Sequence, residues 1–484
     1  MNTGDGSGAR RGPPGGDGEP IVDGGNPIVD GGEPIVDGGE PIVDGGETVA
    51  DGGEAVAASD GFRFAYSPPA IRFGTGAAGD LDAELAEGGF ERGLVVCGET
   101  VGSTPAVIDP VTDGLGDRLA GVFDGTTPEK RLSTAYEALR AAREWDADVL
   151  VALGGGSSLD VATVASALSA VETGDGVSRS EPAAVGRELA ERGTFSIPEG
   201  DLLPIVAVPT TLAGAELSQV AGVTAAPEAG PIEVEDVPDG AEDVPDEADG
   251  VPDEADGAAG GISDPRLMPR AVVADPALFA TTPRSILAAS AMNGFDKAIE
   301  TPYARNATPF TDGTAVRALR LLADGLPRLG REPPDADVLE PVVKGICCAQ
   351  YGVSRPDGTT LSIVHAFGHG LTRTYEVQQG AAHAVVVPHV LEYVFGEVRG
   401  GRELLAEGLG VAAADDRAAA IVDRVTEIRD ALGLPSRLRD VDGPAPEAFP
   451  TVAEHVLTDS FMANAPAGLE PTADELEDVL RASY

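Results

Sequence analysis

From Phe62 to about Pro283, short apolar runs alternate with stretches of helical period. Leu94-Val95-Val96-Cys97, Val149-Leu150-Val151-Ala152-Leu153 and Leu203-Pro204-Ile205-Val206-Ala207-Val208 are almost uninterrupted in apolar character. That is the pattern of strands buried on both faces of a parallel sheet. Between the first two runs, Pro128 to Trp145 spaces its apolar residues as a helix does. Strand and helix in alternation predict an α/β layer structure. Beyond Pro283 the chain is rich in Ala, Leu and Arg and reads as mostly helical. The expected organisation is therefore an α/β domain over 60–282 and an all-α domain over 283–484.

Two segments break this pattern. Residues 19–53 repeat a seven-residue unit: Glu19-Pro20-Ile21-Val22-Asp23-Gly24-Gly25 recurs from Asn26, Glu33 and Glu40 and decays from Glu47. Two adjacent apolar residues per unit cannot build a core, so residues 1–59 are expected to form a disordered acidic tail. A calcium-binding β-roll would need more Asp and Gly at a nine-residue period. The second break is acidic, built on Asp-Val-Pro-Asp and Glu-Ala-Asp-Gly between Glu233 and Asp256. It predicts a solvated loop insertion at about 226–262.

Charge narrows the partners. The 484 residues carry 81 Asp and Glu against 33 Lys and Arg, a net charge of −48, and the lysines are Lys130, Lys297 and Lys344 alone. An acidic, Lys-poor surface suits a salt-rich cytosol, where ions screen carboxylate repulsion, and points to a halophile. With no basic stripe to neutralise phosphates, nucleic acid is not an expected partner. Cys97, Cys347 and Cys348 form neither a disulfide framework nor a zinc motif. No secretory h-region and no long apolar run occurs, so the expected location is the cytoplasm, away from the membrane.

The chemistry gathers in a few places. The strand ending at Leu153 enters Gly154-Gly155-Gly156-Ser157-Ser158 and then an Ala/Val/Leu-rich helix with Asp160 in its first turn. Bare glycines admit a pyrophosphate, and the N–H groups at a helix start receive its charge. After the strand ending at Val208 comes Pro209-Thr210-Thr211-Leu212-Ala213-Gly214-Ala215-Glu216, whose paired threonines suit a ribose or phosphate over the sheet edge. Val273-Ala274-Asp275-Pro276 precedes the helical half. His365-Ala366-Phe367-Gly368-His369 puts two imidazoles on one helical face, and Gly380-Ala381-Ala382-His383-Ala384 precedes Val387-Pro388-His389.

Taken in order, these motifs resemble the iron-containing alcohol dehydrogenase superfamily. The likeness includes a Phe-x-x-x-Pro and Phe-Gly segment near Phe64 to Gly76 and the run Phe461-Met462-Ala463-Asn464-Ala465-Pro466, and it covers about residues 62–484 without the acidic insertion. It implies a Rossmann-like α/β N-terminal domain and an all-α C-terminal domain, the dehydroquinate synthase-like fold, with a cleft between them. It implies NAD or NADP on Gly98, Gly154, Gly155, Gly156, Ser157, Ser158, Asp160, Thr210 and Thr211. Hydride would pass to or from a small carbonyl or alcohol substrate. A homodimer is left open.

The resemblance also exposes departures. Metal-dependent members carry an Asp and a His four residues apart on one helix. Aligned on Ala298-Ile299-Glu300, those positions hold Asn293 and Lys297; the third ligand position keeps His365 and the fourth holds Gln379. One imidazole, two weak amides and a cation argue against a tight Fe²⁺ or Zn²⁺ site. Ligation shifted to His369, His383 or Asp296 stays open. Lys297 is expected to replace the ion as the electrophile at the substrate oxygen, the alternative being a surface Lys paired with Asp296 or Glu300. His369 matches the family's proton-relaying His, and His365 is expected to face the substrate beside it. Asn293, the threonine block and His383 resemble the maleylacetate reductase branch, described as needing no metal, although Lys297 and Gln379 do not match that branch. Gly98 stands where NAD-preferring members carry Asp, which leans toward NADP, although Glu99 follows it. Thr163 stands where many relatives carry Lys. A nucleotide-binding protein without redox turnover and a dehydroquinate synthase-like lyase remain as other readings.

Overall fold

The computed structural model of this chain describes residues 62–173, 182–225, 258–372, 375 and 377–484. The repeats, the expected tail over 1–59 and the acidic tract from 233 to 256 lie outside the described residues.

The apolar runs become the centre of a parallel sheet. Its strands are β1 (Ala70–Phe73), β2 (Gly93–Val96), β3 (Leu119–Phe123), β4 (Val149–Gly154) and β5 (Ile205–Pro209), and it is completed by β8 (Ala271–Ala274) after an antiparallel hairpin of β6 (Val220–Ala225) and β7 (Ala258–Ser263). The order is β1-β8-β5-β4-β2-β3. Every residue of β2, β4 and β5 is buried, as strands covered by helices on both faces require, whereas β1 and β3 lie at the edges and are only half-buried or exposed.

Three boundaries move from the sequence expectation. The run expected from Leu203 enters the sheet only at Ile205, because Pro204 contributes a carbonyl to Leu150 N (2.9 Å) and has no N–H to give back. The helix expected from Pro128 spans Leu132–Glu144. Its first residues are instead a loop in which Lys130 takes φ 53° and bonds across to Thr224. Residues 258–262 of the expected insertion are part of β7, whose ladder with β6 runs from Ala225–Ala258 to Val220–Ser263.

The strand order creates a crevice. From β2 the chain passes outward to β3, and from β4 it passes the opposite way to β5. The carboxyl ends of β2 and β4 therefore flank a topological switch point, the place where open α/β sheets bind ligands.

Beyond β8 and the short helix Pro276–Phe279 the chain is mostly helical, with Arg284–Glu300, Pro309–Arg331, Ala336–Gln350, Ile363–Thr372 and Gln379–Glu397 leading to Ala473–Ala482, and a small antiparallel pair of Ser354–Arg355 and Gly358–Thr359 between them. The Arg284–Glu300 helix lies directly on the loop after β5. Ser290 Oγ accepts from Leu212 N at 3.0 Å, and Thr282 Oγ1 donates to Thr210 O at 2.8 Å. Gly294 permits the approach: a Cβ there would stand 2.4 Å from Leu212 O. Among the described residues, no helix is long and apolar enough to cross a membrane.

Asp275 locks the opening segment to the sheet. Its buried carboxylate accepts from Gly76 N (3.0 Å), Ala78 N (3.1 Å) and Ala277 N (2.9 Å), capping the short helix that leaves β8. Asp275→Ala should leave these donors, that of Ala78 fully buried, without their acceptor and cost about 2–4 kcal/mol, read as a lowered midpoint in urea denaturation; a shift within ~0.5 kcal/mol of zero would refute the locking role.

Candidate active site

The glycine turn stands at the switch point. Gly154 ends β4 with φ 138°, a conformation open to glycine, and the helix Gly156–Thr173 follows at once. Thr210 N donates to Gly154 O at 2.9 Å, which brings the threonine loop alongside. A Cβ on Gly155 would come within 3.0 Å of Thr211 Cγ2, and one on Gly98 within 3.1 Å of Thr126 O. Gly98, Gly154, Gly155, Gly156, Ser157, Ser158, Thr210 and Thr211 thus gather at the ends of β2, β4 and β5. A bare backbone cradle opening on a helix start fits a dinucleotide pyrophosphate. Ser158 has a scaffold role within it, since its Oγ lies buried 2.9 Å from Thr126 Oγ1. Asp160 is not free either: its Oδ2 accepts from Lys130 Nζ at 2.6 Å.

Lys297 points from the helical half toward this cradle. It is buried, not a surface side chain, and its Nζ donates to Ala213 O at 2.8 Å and Gly214 O at 3.5 Å. Burial pushes its pKa down, while the negative charges of Glu216, Asp160, Glu300 and Asp296 work to hold the proton. Glu216 is buried with Oε2 unpartnered, and burial pushes it up against the pull of Lys297.

Behind Lys297 lie two buried acid–imidazole pairs. Glu300 Oε1 accepts from Val364 N (2.6 Å) and His365 N (3.1 Å) at the start of the Ile363–Thr372 helix. Its Oε2 faces His365 Nδ1 at 2.5 Å, which leaves His365 Nε2 buried and unpartnered. Burial raises Glu300 to about 7 and holds His365 well below its usual value. In the second pair, His383 Nδ1 lies 2.9 Å from Asp296 Oδ2, but the angles make no hydrogen bond. Burial lowers His383 to about 3 and raises Asp296 well above the ordinary carboxylate value. The rings of His365 and His383 meet edge to face at 4.6 Å, and Gly368 makes room for them: a Cβ there would stand 2.1 Å from His383 Nε2. His369 is more open, with Nδ1 on Asp459 Oδ2 at 2.9 Å and its ring 4.9 Å from that of Phe461.

Comparison with known proteins decides the family. The model of the iron-containing alcohol dehydrogenases matches residues 68–236, and that of the Fe-containing alcohol dehydrogenase family C-terminal region matches residues 287–484. The chain belongs to the iron-containing alcohol dehydrogenase family. Maleylacetate reductase 1 of Cupriavidus pinatubonensis is 27% identical over 426 residues, covering 87% of this chain and 96% of that one. The NAD-dependent methanol dehydrogenase of Bacillus methanolicus is 26% identical, covering 81% and 93%. In fold, the chain resembles the crystal structure of maleylacetate reductase from Agrobacterium tumefaciens, with TM-score 0.65 and 21% identity over 88% of this chain and 99% of that one. Family membership makes the chain an oxidoreductase.

The family's metal can be tested against these side chains. Of the four positions Asn293, Lys297, His365 and Gln379, only His365 offers an imidazole lone pair, and Lys297 brings a cation to the spot. Of the alternatives, His383 and Asp296 lie beside His365, whereas His369 has Nδ1 on Asp459 Oδ2. Among the described residues, no group of three or more His, Cys, Asp or Glu side chains is placed to hold a metal ion. At these four positions the donors are one imidazole, two amides and an amine, a weak ligand set for a divalent ion.

Sequence reasoning passed over Lys130, Asp459 and the pairing of Glu300 with His365. The scarcity of lysine applied to Lys130 as much as to Lys297, and Asp459 stands just before the Phe461 block. Ala-Ile-Glu served only as a landmark, yet its Glu300 orients the first His of His-x-x-x-His.

Glu216 makes this family member's stability pH-dependent. Its folded pKa lies above the ordinary value of 4.5, so the native state keeps a proton that the unfolded chain releases. The stabilisation is complete below the ordinary value and is lost as pH rises through the folded one. Wild type should therefore lose about 1–3 kcal/mol relative to Glu216→Gln between pH 5 and 8, measured by denaturant unfolding of both proteins. Parallel pH profiles would contradict the assignment.

Proposed function

We propose that this oxidoreductase uses NAD or NADP to interconvert a small carbonyl compound and its alcohol, with Lys297 rather than a divalent ion as the electrophile. The carrying observation is the buried Lys297 ammonium, set between the threonine loop and His365 at a position where metal-dependent relatives bind their ion.

The cradle of Gly98, Gly154 to Ser158 and Thr210-Thr211 holds the dinucleotide, and hydride is what that dinucleotide supplies when bound. Two Lys297 N–H groups are directed at Ala213 O and Gly214 O. The third donates to the substrate oxygen and stabilises the negative charge that grows there as the carbonyl is reduced. Glu300 fixes the His365 ring, so that Nε2 faces the reacting oxygen and bonds the forming hydroxyl. His369, at the solvent boundary and steadied by Asp459, passes the proton between the alcohol oxygen and water. One hydride and one proton reach the carbonyl, and the reverse path oxidises the alcohol. The named relatives, a maleylacetate reductase and a methanol dehydrogenase, support this substrate class without fixing its member. Gly98, with no carboxylate to repel a 2′-phosphate, favours NADP, and the acidic composition favours assay in molar salt.

The test follows NAD(P)H absorbance against a carbonyl panel, with and without chelator, for wild type, Lys297→Met and Lys297→Arg. Lys297→Met should lower kcat by at least about 100-fold with far-UV circular dichroism unchanged, Lys297→Arg should retain part of the activity, and chelator should have no effect. Near-normal turnover by a folded Lys297→Met protein, or inactivation by chelator, would sink the proposal. Dinucleotide binding without turnover on any carbonyl would favour a nucleotide-binding protein.

A further inference from the structure

Two of the three lysines in the 484 residues converge on one carboxylate. Lys130 Nζ lies 2.6 Å from Asp160 Oδ2, and Lys297 acts on the same carboxyl through its charge. The first of these contacts is built with care. Lys130 sits at φ 53°, a left-handed conformation uphill for a residue with a side chain. Lys130 N donates to Thr127 O at 3.2 Å, and its carbonyl accepts from Thr224 N of β6 at 3.0 Å. The strand beneath is bare where the ammonium crosses it: a Cβ on Gly222 would stand 3.6 Å from Nζ and 3.5 Å from Asp160 Oδ2.

The place matters because of what the neighbouring helix lacks. Asp160 lies four residues beyond Gly156, roughly 6 Å along the axis from the glycine turn. Unneutralised, it would set a negative charge beside the cofactor's own. The helix offers no cation of its own to offset it. Ser158 is turned to Thr126, and Thr163 donates back to Leu159 O at 2.9 Å. Lys130 reaches in from the loop after β3, and its side chain remains 34% exposed while that of Asp160 is 13% exposed. Its ammonium therefore keeps N–H groups for a ligand beyond the one given to Asp160.

We propose that Lys130 is a cofactor-binding residue, cancelling the charge of Asp160 and bonding the nicotinamide-ribose and pyrophosphate half of the dinucleotide. The inference rests on the dinucleotide reading of the cradle. This half is common to NAD and NADP, so Lys130 contributes equally to both and takes no part in choosing between them.

The test is equilibrium binding of NADH and NADPH to the full chain by nucleotide fluorescence, at the lowest ionic strength that keeps the protein folded. Wild type, Lys130→Gln and Lys130→Arg are compared, each with its Tm. Lys130→Gln should weaken both nucleotides by about tenfold, and Lys130→Arg should stay within about threefold of wild type. A lowered Tm with unchanged affinities would make Lys130 a loop clamp and overturn the proposal. Weakening of NADPH alone would overturn it by placing the ammonium at the 2′-phosphate. Unchanged nucleotide affinity with a raised KM for carboxylated carbonyls only would overturn it in favour of a substrate-anion site. Failure of wild type to bind either nucleotide would instead refute the dinucleotide reading itself, a result distinguishable from all of these.

Discussion

The contact between the Arg284–Glu300 helix and the loop after β5 is the constraint on which the site depends. Ser290 receives Leu212 N, Thr282 reaches Thr210 O, Gly294 lets the two backbones close, and Lys297 grips Ala213 O and Gly214 O. Each bond joins the helical half to the loop that borders the dinucleotide cradle. Lys297 and the Thr210-Thr211 loop are therefore one hydrogen-bonded unit. Orientation of this kind is where much of the rate of a hydride transfer comes from, because the reacting atoms must meet within a few tenths of an ångström.

Lys297 could not occupy that place alone. A buried ammonium is costly unless charges and hydrogen-bond acceptors surround it, and here Ala213 O and Gly214 O accept from it while Glu216 and Asp160 act on it through their charge. The same burial works against the carboxylates and favours their neutral forms, most plainly at Asp296 beside a neutral His383. The site thus packs acids, imidazoles and one amine into a buried group. A divalent ion would impose coordination geometry, whereas this arrangement imposes hydrogen-bond directions.

How much of this was legible follows from burial. β2, β4 and β5 announced themselves because strands covered on both faces must be apolar throughout. β1, with an Arg in four residues, and β3, with a Gly at its centre, lie at the edges and carry no such mark. The glycine turn and the threonine pair were legible because a backbone cradle needs particular residue types at particular places. Glu300 and Asp459 were not, because orienting a histidine requires only an acceptor at the right point in space, and chain spacing does not encode that point. Asp459 acts on His369 across 90 residues. Lys130 was hidden for the same reason, since Asp160 lies 30 residues away.

The charge of the whole chain gives these few cations their weight. A net charge of −48 repels a dinucleotide, itself an anion, at distances beyond a Debye length in dilute salt, and concentrated salt screens that repulsion to about 3 Å. Screening removes the long-range cost but supplies no attraction. What remains is contact chemistry, which on the proposed reading comes from N–H groups of the glycine turn at a helix start, the Lys130 ammonium and Lys297. A chain with this net charge needs fixed positive charge where an anionic cofactor and a developing alkoxide are to be held, as the proposed reading has it. Lys130 is tied to the Asp160 carboxylate, and Lys297 to the carbonyls of Ala213 and Gly214.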